Sequence, residues 1–161
     1  MNKYHLGKAN YKYYSKWPNS KIRAQARMPA IITMSEMALY PCAYSMTFNV
    51  CGRKLNAILN QRSQDMLAAN NWNVVQYSVL LLMMAQVSGF EPGELVHVIA
   101  DAHIYDRHIP MVEEILSNEP KKAPVFRVDP SVTDFYAFTR DSFTMENYEF
   151  SPFDGKIPVA V

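Results

Sequence analysis

The 161-residue sequence has few cysteines and no cysteine or histidine spacing typical of a metal site. Two cysteines, Cys42 and Cys51, are too few for a disulfide framework and indicate a reducing compartment, so we expect a cytoplasmic protein. The four histidines occur without a C-x-x-C or H-E-x-x-H pattern, and we therefore expect no metal.

The sequence also lacks an excess of charge of one sign and any long hydrophobic run. The formal net charge is +1, and acidic and basic residues are interspersed, which predicts no binding to nucleic acid or to an anionic membrane. The longest apolar run, residues 79–85, is far too short to span a membrane, and the first residues contain no apolar segment typical of a signal peptide. A small ligand is the expected partner.

What the sequence does contain is enough apolar material for one core. With 49% hydrophobic residues, residues 1–161 are expected to form a single α+β domain, although residues 1–34 show no steady pattern. Residues 44–50 and 55–61 alternate in polarity around Gly52 and predict a β-hairpin. Residues 120–161, with five of the ten prolines and scattered aromatic residues, predict short strands and turns over the core.

A long helix and a further strand are predicted in the middle of the chain. Residues 73–88 are apolar nearly all round and stop before Gly89, which indicates a helix buried on most sides. Residues 94–105 alternate with a period of two, which predicts one strand with a polar face formed by His97, Asp101, His103 and Tyr105. The expected fold is a mainly antiparallel or mixed sheet packed on the long buried helix.

The residues most suited to chemistry are Cys42, which follows Pro41, and Arg62 with Ser63 at the far end of the paired strand. A cysteine nucleophile needs a cationic and partly dry setting, which an arginine can provide. Each residue also has a structural alternative, since Cys42 can be a small buried apolar residue, Arg62 a surface cation, and Asn73 a helix cap. His103 and Tyr105 can equally be satisfied polar packing. The residues alone are therefore compatible with a cysteine enzyme without establishing one.

Five short blocks resemble the catalytic half of the thymidylate synthase family. They are, in order, MALYPC (37–42), LNQRSQD (59–65), NNWNVVQY (70–77), ADAHIYDRH (100–108) and KIPVAV (156–161). Their order and spacing match the family from about residue 35 to the end. The resemblance implies a thymidylate synthase-like fold, dUMP and 5,10-methylenetetrahydrofolate as substrate and co-substrate, and a homodimer.

The resemblance also implies roles for individual residues. Cys42 would add to C6 of the uracil ring, and the folate would supply a carbon unit and a hydride, giving dTMP and dihydrofolate. Arg62 and Ser63 would bind the phosphate beside the thiolate, with Gln61 supporting the pocket. Asp65 is an implied catalytic residue that would meet either the pyrimidine edge or the folate ring, and Val161 would bind the folate. The other implied contacts are uracil recognition by Asn73 and ribose binding by His103 and Tyr105. Arg23 of the partner subunit, with Lys21 or Arg27 as alternatives, would contact the phosphate.

The sequence also departs from the family pattern. Alanines stand at positions 43, 69 and 100, where many relatives have histidine or glycine, and residues 1–34 match the family poorly. The family's proton-shuttling glutamate and the tryptophan beneath the folate are not recognisable. Two alternatives to thymidylate synthase therefore stay open. One is a pyrimidine hydroxymethyltransferase, and the other is a truncated, non-catalytic remnant that binds a nucleotide or a related subunit.

Overall fold

The computed structural model describes residues 41–153 and 155–158. Within them, strands and helices are interspersed along the chain, and single 3-10 turns lie at Asp106–His108, Phe135–Ala137 and Arg140–Ser142. The elements are β1 (Ala43–Cys51), β2 (Lys54–Gln61), β3 (Gln64–Asp65), α1 (Asn70–Ser88), β4 (Glu91–Ile99), β5 (Ala102–His103), α2 (Ile109–Ser117), β6 (Val125–Val128) and β7 (Phe143–Glu146).

The main sheet has the strand order β1-β2-β4 and is mixed. Strands β1 and β2 form the predicted antiparallel hairpin, and its turn contains Gly52 at a φ of 61°. That backbone conformation favours glycine because it crowds a Cβ atom. Strand β4 pairs in parallel with β2, since α1 carries the chain back along the sheet between them. The α+β prediction is confirmed, and the sheet is of the mixed kind.

Helix α1 covers the inner face of this sheet with its C-terminal half. Leu81, Met84 and Ala85 are buried against a cluster from β1 and β2 that includes Phe48 and Leu55. The packing of this helix on one face of the sheet forms the hydrophobic core.

The helix differs from its prediction at the N-terminal end. It begins at Asn70 rather than Asn73, and its first turns are open to solvent, with Trp72 78% and Val75 57% exposed. The prediction of a helix buried on most sides is therefore wrong for this half. The other end is as predicted, because the N–H of Gly89 donates to the carbonyls of Ala85 and Gln86 in a left-handed cap.

The strand predicted over residues 94–105 is interrupted, which corrects the single-strand prediction. Strand β4 ends at Ile99, and β5 resumes at Ala102 beside β3. The reason is a change of partner: the N–H of Ala100 donates to the carbonyl of Gln61, whereas the carbonyl of Asp101 accepts from the N–H of Gln64. Tyr105 lies beyond the strand, so period-two alternation does not place it.

The C-terminal part lies over the core as short strands and turns, as predicted. Strands β6 and β7 pair antiparallel, and Phe143 stacks between Phe126 and Phe138 at centroid distances of 5.9 and 5.8 Å. The side-chain amide of Gln86 on α1 donates to the carbonyls of Asp129 and Val132, which fastens this part to the helix. Helix α2 was not predicted.

Candidate active site

The ends of β1, β2 and β4 meet at one edge of the main sheet. There the N–H of Arg62 donates to the carbonyl of Cys42 at 2.9 Å, so the cysteine and the arginine face each other across the strand ends. An irregularity in the pairing between Ala43 and Ser45 leaves Tyr44 without a partner residue, as in a β-bulge. Bulges beside sheet ends redirect neighbouring side chains. Cys42 itself is half-buried, and Arg62 is exposed.

A buried amide lies directly behind this edge. Gln61 is 2% exposed, and its Nε2 donates to the carbonyl of Ser63 at 2.9 Å. Its Oε1 accepts from Nε2 of His97, also at 2.9 Å. Burial lowers the pKa of His97, which favours the neutral ring, and a neutral ring still has one N–H for this bond. The pair fixes the turn that carries Arg62 and Ser63.

The turn after β3 is organised by Asp65. Its Oδ1 accepts from the N–H groups of Leu67 and Ala68, each at 3.0 Å, and its carbonyl accepts from the N–H of Ala69. The carboxylate thus orders the approach to α1, whose N-cap, Ala69, has no side chain able to do so. The other oxygen, Oδ2, faces the buried ring of His108 at 4.0 Å from Nδ1.

Asn73 belongs to a chain of three amides. Gln64 is 1% exposed; its Nε2 donates to Oδ1 of Asn70 at 3.4 Å, and its Oε1 accepts from Nδ2 of Asn73 at 2.9 Å. These bonds set which way each amide points. Asn73 keeps one N–H and its Oδ1 for another partner, and its orientation is determined by a buried neighbour.

His103 and Tyr105 lie together although no continuous strand joins them. Their rings meet edge to face at a centroid distance of 5.0 Å. Nδ1 of His103 lies 3.3 Å from Oδ2 of Asp101, without the geometry of a hydrogen bond. The same Asp101 oxygen accepts a long bond of 3.5 Å from Ser63 Oγ. Asp101 therefore links the turn that carries Ser63 to the histidine.

This region combines a thiol, a guanidinium group, an oriented amide and a histidine–tyrosine pair within a continuous set of contacts. Such groups suit an anionic, polar small molecule with a site open to nucleophilic attack. Within the described ranges, no three His, Cys, Asp or Glu side chains converge in a way that could hold a metal ion. No helix in this part of the chain is long and apolar enough to cross a membrane.

Comparison with known proteins identifies the family of the chain. The family model described as thymidylate synthase matches residues 15–161. The chain belongs to the thymidylate synthase family.

A solved relative in the family shares the fold. It is the thermostable thymidylate synthase A from Bacillus subtilis, with 34% sequence identity and a TM-score of 0.74 over 88% of this chain. The match covers 54% of the Bacillus chain, so the present chain corresponds to about half of that relative's length.

The structure brings most of the predicted site residues of this family member into two adjoining groups. The first, at the ends of β1 and β2, holds Cys42, Gln61, Arg62 and Ser63. The second holds Asp65, Asn73, His103 and Tyr105 around β3, β5 and the start of α1. Arg23, its alternatives Lys21 and Arg27, and Val161 lie outside the described residues.

Three residues of the site were not assigned a role from the sequence. Gln64 orients Asn73, His97 orients Gln61, and His108 lies between Asp65 and the C-terminal segment. Gln64 stands within the QRSQD block, where its position between Ser63 and Asp65 is a signal. His97 was placed on the polar face of the predicted strand and His108 ends the ADAHIYDRH block, but neither pattern indicates a partner, because the partners are distant in sequence.

Proposed function

We propose that this chain carries out the thymidylate synthase reaction, the reductive methylation of dUMP to dTMP. The observation that carries the proposal is the pairing of Cys42 with Arg62 across the ends of β1 and β2, at a hydrogen-bonded distance of 2.9 Å between their backbones. The oriented amide of Asn73 lies in the adjoining group of residues and supports uracil as the base.

Cys42 is the nucleophile in this proposal. Its thiolate adds to C6 of the uracil ring, the electron pair moves toward C5 and O4, and the ring then reacts at C5. The cation of Arg62 favours the thiolate and binds the phosphate through paired N–H donors, with Ser63 adding a hydroxyl. After the C5 proton has left, the bond between the transferred carbon and the folate nitrogen breaks, the hydride from the folate adds to that carbon, and elimination of the thiolate releases dTMP and restores Cys42.

Asn73 recognises the base. Uracil presents N3–H as a donor and O4 as an acceptor, and an amide can satisfy both with its oxygen and one N–H. The bond from Asn73 Nδ2 to Gln64 uses the other N–H and prevents a reversal of the amide. His103 and Tyr105 bind the ribose hydroxyl in the same proposal, and their ring contact of 5.0 Å supports a joint role.

The co-substrate in this proposal is 5,10-methylenetetrahydrofolate, which supplies the one-carbon unit and the hydride. Asp65 fits a folate contact because only one of its oxygens is used by its own turn. Oδ2 of Asp65 can accept a hydrogen bond from an N–H of the folate ring, and the Asp65 side chain is 19% exposed. Val161 is the second proposed folate contact, as the family resemblance implies.

Product analysis tests the proposal. The purified chain is incubated with dUMP and 5,10-methylenetetrahydrofolate, and both nucleotide and folate products are identified by chromatography with mass spectrometry. We expect dTMP and dihydrofolate in equal amounts. Hydroxymethylated dUMP with tetrahydrofolate would instead establish a hydroxymethyltransferase. Binding of dUMP without any product would establish a non-catalytic remnant.

Replacing Arg62 with alanine is expected to weaken dUMP binding by about 2–3 kcal/mol, the contribution of a hydrogen bond to a charged group. Isothermal titration calorimetry measures the change. Arg53→Ala is the matched control, because Arg53 is an exposed arginine at the opposite end of β2 that pairs with Glu91. Unchanged dUMP affinity in Arg62→Ala, or an equal loss in both variants, would contradict the phosphate assignment.

We further propose a homodimer formed through the outer face of the main sheet. Ile58 and Val96 are register partners on this face, and with Val98 they are 39%, 47% and 48% exposed in the single chain. α1 covers only the opposite face. Contiguous exposed apolar side chains on one face of a sheet are typical of a surface that a second subunit covers.

Val96→Lys is expected to weaken the dimer about 100-fold or more, because two unpaired ammonium groups would be buried where the faces meet. Sedimentation velocity at micromolar concentration should show a dimer for the parent chain and a monomer for this variant. Leu116→Lys is the control, since Leu116 is 77% exposed on α2, away from the sheet face. A monomeric parent chain would overturn the proposal.

A further inference from the structure

His108 is a buried polar residue to which neither the fold nor the proposed reaction assigns a task. It lies at the end of the 3-10 turn Asp106–His108 and is 1% exposed. Its Nε2 donates to the carbonyl of Pro158 at 2.9 Å, whereas its Nδ1 is buried without a hydrogen-bond partner among the described residues. Burying an unpaired polar atom is unfavourable, so a histidine here needs a reason.

The surroundings of the ring connect three parts of the molecule. Pro158 belongs to the C-terminal segment, Asp65 to the turn before α1, and Tyr105 to the ribose-side pair. The ring meets that of Tyr105 edge to face at 5.5 Å, and its Nδ1 is 4.0 Å from Asp65 Oδ2. Because a carbonyl accepts only, the Pro158 bond requires hydrogen on Nε2. Nδ1, on the other side of the ring, faces Asp65.

We propose that His108 is a positioning residue that fastens the segment ending at Pro158 to the Asp65 turn and to Tyr105. The segment needs this bond because residues 155–158 contain no helix or strand of their own. The proposal rests on the proposed function in one respect: Val161, the implied folate contact, follows Pro158 by three residues. Loss of the bond should therefore affect folate use more than dUMP binding.

Two variants distinguish the roles of the two ring nitrogens of His108. His108→Gln places an amide N–H near the position of Nε2 and retains a donor for Pro158. His108→Asn places its amide near Nδ1 and loses that donor. We expect the first variant to behave like the parent chain, and the second to raise the KM for 5,10-methylenetetrahydrofolate about 3- to 10-fold with little change in the Kd for dUMP, as for one hydrogen bond.

The attachment itself is measured by NMR without substrate or turnover. In the parent chain, 15N-labelled histidine should show hydrogen on Nε2 of His108. The heteronuclear NOE of Ile157, which reports fast backbone motion, should match that of core amides in the parent and in His108→Gln, and fall in His108→Asn. A His108 ring without hydrogen on Nε2, or equal NOE values in all three chains, would overturn the proposal. If His108→Asn does not fold, the proposal is still tested by the position of the ring hydrogen in the parent chain and by the Ile157 NOE in His108→Gln. Failure to bind dUMP would overturn the proposed function and leave these NMR readouts unaffected.

Discussion

Cys42→Ser is expected to reduce dTMP formation by at least about 10⁴-fold, on the scale seen when a covalent nucleophile is removed. A serine hydroxyl is not appreciably ionised near neutral pH, so it cannot replace the thiolate that adds to C6. Binding of dUMP should change little, because the phosphate and base contacts come from other residues. Initial rates of dTMP formation and dUMP titration calorimetry separate the two effects.

Cys51 provides the matched control for this experiment. It is also a free cysteine, but it is exposed at the far end of β1, roughly 30 Å from Cys42 over nine residues. Cys51→Ser should therefore retain the parent rate. Equal rates for Cys42→Ser and the parent chain would remove Cys42 from the reaction, and a loss confined to Cys51→Ser would reassign the nucleophile.

Asn73→Asp is expected to shift the preference between dUMP and dCMP by about 100-fold toward the cytosine nucleotide, or roughly 3 kcal/mol, since each buried unmade hydrogen bond costs about 1–3 kcal/mol. Cytosine presents an N3 acceptor and an N4 donor, the reverse of uracil. In the parent chain, the bond between Asn73 Nδ2 and Gln64 Oε1 opposes the reversal that cytosine would require. A carboxylate accepts from N4 and, when protonated, donates to N3.

The amide chain also predicts how the variant adapts. With a carboxylate at position 73, the amide of Gln64 must turn over to donate to it, and Asn70 must then donate in place of accepting. Asn70→Asp is the control, because a carboxylate there still accepts from Gln64 Nε2. Dissociation constants for both nucleotides should give the parent ratio in Asn70→Asp. An unchanged ratio in Asn73→Asp would leave Asn73 with a structural role only.

Local sequence patterns predicted the parts of this fold that depend on neighbouring residues. The hairpin of β1 and β2 follows from alternation around Gly52, and the end of α1 follows from Gly89, because each turn needs a left-handed residue. The start of α1 carries no such signal. Its N-cap is Ala69, and the carboxylate that orders the helix start belongs to Asp65 in the preceding turn. The prediction therefore placed the start of the helix wrongly at the polar residue Asn73.

Contacts between distant residues were beyond pattern reasoning. The break between β4 and β5 arises because Asp101 pairs with Gln64 after Ala100 has paired with Gln61, and nothing in the alternation of residues 94–105 records that change. His97 likewise finds Gln61 only through the parallel pairing of β4 with β2. The family resemblance identified the candidate site residues, whereas the residues that orient them became visible only in the folded chain.

The addition of Cys42 to C6 of dUMP is tested most directly by hydrogen exchange at C5, which needs no folate. Addition gives C5 carbanion character, so its hydrogen exchanges with solvent each time the adduct forms and reverses. Proton NMR of dUMP in D2O should show the H5 signal disappearing with the parent chain and with Cys51→Ser, and persisting with Cys42→Ser. Persistence of H5 with the parent chain, or the same rate of loss with Cys42→Ser, would contradict covalent catalysis by Cys42.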